Sequence, residues 1–262
     1  MKLPPLKIRN LVSEFPVIQA GMGVRIGNAT LAAAAVNCGA FGTIASVGMG
    51  DIATKKEDFA RVTGESLVAE IRHAKELCNH KKPLGINVMV ALSNYESMIR
   101  YAISEGVDFI ISGAGLPLYL PEYVGDADVA LIPVISGGRA MEVILKTWAR
   151  RYNRKPDAVI VEGPKNGGHL GFTMEQIEHP ETCSLEILCK EVREVLNAHG
   201  CDSVPMLAAG EVASKADIER CLAMGYDGVQ IGTYFIAAEE SGIDRKSKEV
   251  FVKATTEDIV VT

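Results

Sequence analysis

The densest chemistry in the chain lies in residues 161–172, Val161-Glu162-Gly163-Pro164-Lys165-Asn166-Gly167-Gly168-His169-Leu170-Gly171-Phe172. An apolar run at 158–161 reads as a buried strand, and the glycines beyond it allow a backbone to lie close to a flat ring or a phosphate. His169 adds the one side chain that changes protonation state near neutral pH, so it could give or take a proton at a bound substrate. Glycine clusters after strands are also ordinary turns, and single histidines are often structural, so the stretch alone leaves both readings open.

Such a site needs elements to carry it. Apolar strand-like runs recur at 17–20, 41–45, 84–90, 109–111, 130–135, 158–161, 204–208 and 228–231. Between them lie segments with helical period: Leu67, Ile71, Ala74 and Cys78; Met141, Ile144, Leu145 and Trp148; Leu185, Leu188, Cys189, Val192 and Leu196. Ser214 and Asp217 form a capping pair for a helix whose inner face carries Ile218, Cys221 and Leu222. Strands apolar on both faces suit a parallel sheet covered by helices, and eight strand–helix units predict an α/β fold of the (β/α)8 TIM-barrel type. A doubly wound open sheet is the alternative. Against it, Ala20-Gly21-Met22-Gly23-Val24-Arg25 after the first strand lacks the dinucleotide fingerprint spacing.

In a barrel all strand-to-helix loops open on one face. The loops then converge: Gly21, Met22 and Gly23 after the first strand, Asn87 on the third, Ser112 to Pro117 after the fourth, Gly167, Gly168 and His169 after the sixth. Gly210 follows the seventh strand, and Gln230, Ile231, Gly232 and Thr233 end the eighth. Paired glycine turns after strands seven and eight, each leading into a helix, predict a phosphate site. The glycine-bearing segment 47–66 opens on the same face and reads either as a lid or as a plain surface loop. Lys146, Arg150, Arg151, Arg154 and Lys155 read as a solvated helix end on the opposite face.

Composition narrows the partners. A chain of 262 residues that is 48% apolar can bury a large core. Its net charge of −6 argues against a nucleic-acid binder, because that affinity rests on Lys and Arg neutralising phosphates. A small-molecule partner is expected. No apolar run at the start suggests a signal peptide and none is long enough to span a membrane, so a cytoplasmic location is expected. The six cysteines lack a C-x-x-C pair and read as reduced, buried and metal-free. Barrels commonly pair through their outer helices, which makes a homodimer the oligomer to test.

Three motifs together resemble the nitronate monooxygenase family, formerly 2-nitropropane dioxygenases, whose barrel is shared by flavin-dependent enoyl-acyl-carrier-protein reductases. They are Pro16-Val17-Ile18-Gln19-Ala20-Gly21-Met22, the stretch from Glu162 to Gly171, and Ala208-Ala209-Gly210 with Gly228-Val229-Gln230-Ile231-Gly232-Thr233-Tyr234-Phe235. The resemblance implies FMN as cofactor. On that pattern Met22 packs by the ring, Asn87 and Glu162 hydrogen-bond around it, and Gly167 and Gly168 approach it. Gly210 and the turn from Gln230 to Thr233 hold the phosphate, and His169 faces the substrate. The implied reaction is oxidation of an alkyl nitronate with oxygen to a carbonyl compound and nitrite. The alternatives are an NAD(P)H-dependent enoyl thioester reductase and a barrel that binds flavin or another phosphate ligand without turnover.

The sequence also departs from that pattern. Gly21 stands where many relatives have proline, Glu162 where many have glutamine, and Asn166 where alanine is common. Lys165 is a candidate partner for Glu162. Glu211 replaces a second glycine beside the expected phosphate and is expected to point to solvent. Residues 1–240 form the expected barrel, and 241–262 a C-terminal extension that reads as short or incomplete beside relatives that continue with a further helical region.

Overall fold

The alternation of apolar strands and amphipathic helices closes, in a computed structural model that describes residues 2–50, 53–79 and 83–261, into a parallel barrel ringed by helices. A short antiparallel hairpin, β1 (Lys7–Ile8) and β2 (Leu11–Val12), comes first. The barrel strands are β3 (Val17–Gln19), β4 (Gly42–Ala45), β5 (Leu84–Met89), β6 (Phe109–Gly113), β7 (Ala130–Ile135), β8 (Val159–Glu162), β9 (Met206–Ala209) and β10 (Gly228–Ile231). Their order is β3-β10-β9-β8-β7-β6-β5-β4, all parallel. Backbone bonds from Gln19 N to Phe41 O (2.9 Å) and from Phe41 N to Val17 O (3.0 Å) join β3 to the entry of β4 and close the ring.

The outer helices are α1 (Ala29–Asn37), α2 (Phe59–Leu77), α3 (Tyr95–Ser104), α4 (Leu120–Val124), α5 (Gly138–Tyr152), α6 (Met174–Glu178), α7 (Leu185–Ala198), α8 (Lys215–Met224), α9 (Thr233–Ile236) and α10 (Arg245–Lys253). Their inner faces follow the helical period. Met141, Ile144, Leu145 and Trp148 are buried on α5, and Leu185, Leu188, Cys189, Val192 and Leu196 on α7. Ser214 and Asp217 cap each other's backbone at the start of α8 as expected. Among the described residues, no helix is long and apolar enough to cross a membrane.

The two-residue period of the strands separates two cores. Val159 and Val161 of β8, Met206 and Ala208 of β9, and Val229 and Ile231 of β10 face the helices. Ile18, Phe41, Phe109, Ile111, Ala130, Ile132, Ala158, Ile160, Leu207 and Ala209 fill the barrel itself. Leu6 and Ile8 of the N-terminal hairpin pack into that inner cluster and plug the bottom, a feature the short strands hid from sequence reading. Burying each such side chain stabilises the fold by roughly 1.5–3 kcal/mol.

Two expectations change. The segment 47–66 is not one long loop: α2 begins at Phe59, and Thr63 and Gly64 are packed, Gly64 so closely that a Cβ there would lie 2.0 Å from the Tyr101 ring. Asp51 and Ile52 of the expected lid lie outside the described residues, while the guanidinium of Arg25 holds the carbonyls of Gly48 (3.2 Å) and Gly50 (2.5 Å). The cysteines are all free, but only Cys183, Cys189, Cys201 and Cys221 are buried; Cys38 is exposed and Cys78 half-buried, because each sits at the cap position of a helix end. The basic residues around the end of α5 do form a solvated helix end, where Lys146 pairs with Glu142 (2.6 Å) and Arg154 with Asp157 (2.6 Å).

Candidate active site

The C-terminal ends of the strands open into a cavity of about 1450 Å³. Twelve of the thirteen residues singled out from the sequence line it: Gly21, Met22, Gly23, Asn87, Glu162, Gly167, Gly168, His169, Gly210, Gln230, Gly232 and Thr233. Ile231 does not. It alternates with Gln230 on β10 and so faces the helices, in the outer core.

Glycines hold these loops together by absence of side chains. A Cβ on Gly21 would lie 2.3 Å from Cβ of Asn87, and one on Gly232 3.6 Å from Sδ of Met22. A Cβ on Gly210 would lie 3.2 Å from the Asn166 backbone, and one on Gly167 3.4 Å from Oγ1 of Thr233. The loops after β3, β8, β9 and β10, with Asn87 of β5, therefore meet in one ring around the cavity. Gly21 is explained too: Asn87 fills the space that the Cβ of a proline would need. Ser136, beyond β7, donates to the carbonyl of Gly171 at 3.0 Å and anchors the far end of the glycine loop.

Glu162 ends β8 on the same face as Ile160 and so points into the barrel mouth. Its Oε1 accepts a hydrogen bond from Nδ2 of Asn166 at 2.8 Å. Burial of the carboxyl pushes its pKa up to about 7, and the Asn166 bond only partly opposes this. Lys165 does not pair with it. The Lys165 ammonium meets Glu211 instead, at 2.8 Å; Glu211 is exposed, as expected, and paired there. It lines the cavity with a backbone φ of 56°, in the left-handed region that glycine adopts at least cost. His169 is exposed at the mouth and has no hydrogen-bond partner among the described residues. Oε1 of Gln230 is buried without a partner.

Sequence reading missed the apolar part of the lining. Val47, Met89, Val134, Phe235 and Ile236 contribute, as do Phe251 and Val252 of α10. Met89 and Val134 were within reach, since each shares the inward face of its strand by the period of two.

The model of the nitronate monooxygenase family matches residues 5–262. The chain belongs to this family. A probable nitronate monooxygenase from Staphylococcus haemolyticus is 26% identical over 278 residues, covering 97% of this chain and 73% of that protein. A 5-hydroxy-7a-methyl-1-oxo-octahydro-1H-indene-4-carboxyl-CoA dehydrogenase from Mycobacterium tuberculosis is also 26% identical, over 249 residues and 95% of this chain. The chain spans 60% of the length of that mycobacterial relative. The solved structure of FabK from Thermotoga maritima superposes with a TM-score of 0.74 at 28% identity, over 95% of this chain and 68% of that one. The (β/α)8 barrel of the family is thus the barrel of this chain.

Proposed function

We propose that this chain is the FMN-binding barrel of an oxidoreductase that oxidises alkyl nitronates with oxygen to carbonyl compounds and nitrite. The observation that carries the flavin reading is the ring of loops cleared by Gly21, Gly167, Gly210 and Gly232 around one cavity, with the amide oxygen of Gln230 left for a ligand donor. The turns at Gly210 and at Gly232-Thr233 would hold the phosphate with backbone N–H groups. Met22, Asn87 and Gln230 would border the ring, and Gly167 and Gly168 would let it approach the backbone.

FMN held there would supply the electron transfer, taking electrons from the substrate and passing them to oxygen. The protein's own part is binding and proton handling. His169, exposed on the cavity wall, would orient the nitro oxygens of a nitronate and would take the carbon-bound proton of a neutral nitroalkane. The apolar wall of Val47, Val134 and Phe251 would exclude water from the alkyl part.

A second reading has its own support. Ligand pockets usually span roughly 300–1,000 Å³, and this one is larger, with Val24, Phe251 and Val252 exposed at its rim. That room suits a bulky thioester, the class named for the mycobacterial relative, reduced or oxidised with a nicotinamide as partner. An anaerobic titration of the purified, FMN-loaded protein separates the two. Bleaching of the visible flavin bands by a nitronate alone is the expected result. Bleaching by NADH or NADPH alone, with none from nitronates, overturns it in favour of thioester chemistry.

A further inference from the structure

We propose that Glu162 is the proton store of the site: when two electrons enter the bound flavin, the Glu162 carboxylate takes up one proton from solvent, and it returns that proton when the electrons leave. This rests on the flavin reading above but adds to it a role that His169 does not fill.

The geometry gives the reason. Glu162 is the only acidic side chain that a barrel strand itself sends into the cavity among the described residues, and its partner is a neutral amide, Nδ2 of Asn166 at 2.8 Å. Lys165, the cation on its own loop, is held by Glu211 from the loop beyond β9 at 2.8 Å. The other titratable groups lining the cavity are His169 on the same loop and Tyr234 on α9, both exposed. From β5, β7 and β10 come Asn87, Val134 and Gln230, which carry no charge. A carboxylate so placed has no cation to balance it, and negative charge arriving on a neighbouring ring raises its proton affinity further. Burial already brings its pKa to about 7, so uptake and release both fall near neutral pH.

The balance is simple. An O–H bond forms at one carboxylate oxygen of Glu162 and the proton comes from water outside. The electrons come from the reductant, either a nitronate, which gives electrons without hydride, or a reduced nicotinamide, which gives hydride, and the carboxyl is neither oxidised nor reduced.

The test is the pH dependence of the flavin midpoint potential, measured by anaerobic dithionite titration with indicator dyes on the full chain loaded with FMN. Wild type is compared with Glu162→Gln, which keeps an acceptor for Asn166, and with Asn166→Ala, which keeps the carboxyl. One extra proton per two electrons steepens the fall of potential by about 30 mV per pH unit. Wild type is expected to show this steeper limb above its inflection near neutrality, and Glu162→Gln to lack it. Asn166→Ala is expected to move the inflection to higher pH, because the lost hydrogen bond favoured the charged form; this shift decides alone if the Gln variant takes up no flavin. Superimposable profiles for wild type and Glu162→Gln overturn the proposal while leaving the flavin reading intact. An unshifted absorption spectrum of FMN added to wild type, meaning no uptake, overturns both.

Discussion

The two ends of the barrel use the same strands in opposite ways. At the bottom, Phe41, Phe109, Ile132 and Ile160 pack against Leu6 and Ile8. Asp108, Asp157 and Asp227, each placed just before a strand, accept the N–H of Leu84 (2.9 Å), Leu131 (2.8 Å) and Met206 (2.8 Å) at the entry of the preceding strand. Arg9 ties the hairpin plug to Asp128 at 2.5 Å and to Asp157 at 3.7 Å. Two residues above Ile160 the same strand presents Glu162 with a single neutral partner, and β10 presents Gln230 with an orphaned oxygen. Consistency at one end and its deliberate breach at the other is what a fold that stabilises at its base and reacts at its mouth should show.

The sharpest way to break this contrast is to mutate each end and ask which property moves. With a neutral nitroalkane as substrate, His169→Ala is expected to lower turnover by about 10²–10⁴-fold, the usual range for a lost proton-transfer group, with an unchanged urea midpoint because the side chain is exposed. A turnover number equal to wild type would remove His169 from the chemistry. Phe109→Ala is the counterpart at the base. Its ring is fully buried, edge-on to Phe41 with centroids 5.4 Å apart. The expected loss is about 3–5 kcal/mol of unfolding free energy. Urea melts check it, and FMN uptake by the folded fraction should persist. A loss below about 1 kcal/mol would mean that the base is not where stability resides.

Sequence reading reached these two ends unequally. The eight strands and the buried faces of α5 and α7 were legible because repeated apolar positions report local period directly, and period survives without knowledge of partners. The hairpin at Lys7–Ile8 and Leu11–Val12 was not, since two residues per strand carry no alternation. A weaker signal went unused: Asp108, Asp157 and Asp227 recur at the entries of β6, β8 and β10, marking strand bottoms. At the mouth, glycines and His169 were legible by type. The choice of Lys165 between Glu162 and Glu211 was not, because both carboxylates are near in the fold and only packing of the β8 and β9 loops decides. The outward side chain of Ile231 does not line the cavity, as alternation with Gln230 already implies.

Glu162 allows the contrast to be measured as a pH dependence of stability in the flavin-free protein. Its folded pKa, about 7, lies above the ordinary value of 4.5. The folded state therefore binds more protons than the unfolded chain between these values, and stability falls as pH rises through that window. The stabilisation is complete below about pH 4.5 and lost above about pH 7. Glu162→Gln removes this dependence. Against wild type it should gain nothing at the acidic end and up to about 3 kcal/mol on the alkaline side, at 1.36 kcal/mol per pKa unit. Parallel stability curves for the two proteins would show that the mouth does not strain this carboxyl.

Glu211→Gly is expected to give the smallest change in stability, and its interest lies in how two small terms compare. The backbone at Glu211 has φ 56°, which costs a residue with a Cβ roughly 1 kcal/mol and glycine little. The side chain offsets this by its ion pair with Lys165, but the two side chains are 35% and 58% exposed, so the pair contributes about 0–1 kcal/mol. The terms nearly cancel, and the added chain entropy of glycine in the unfolded state tilts the sum slightly towards destabilisation. Urea midpoints should therefore agree within about 0.5 kcal/mol. Affinity for FMN should move more than stability does. Removing an anion next to the Gly210 turn, and freeing Lys165 to face an incoming phosphate, should tighten binding about tenfold, equivalent to about 1.4 kcal/mol. That gain should shrink as salt is raised, since exposed charges are screened over about 10 Å at 0.1 M ionic strength. Fluorescence titration of FMN at two salt concentrations measures both. Unchanged affinity at low salt would mean that the phosphate end of the ligand does not lie beside Glu211, and the turn after β9 would lose its assigned role.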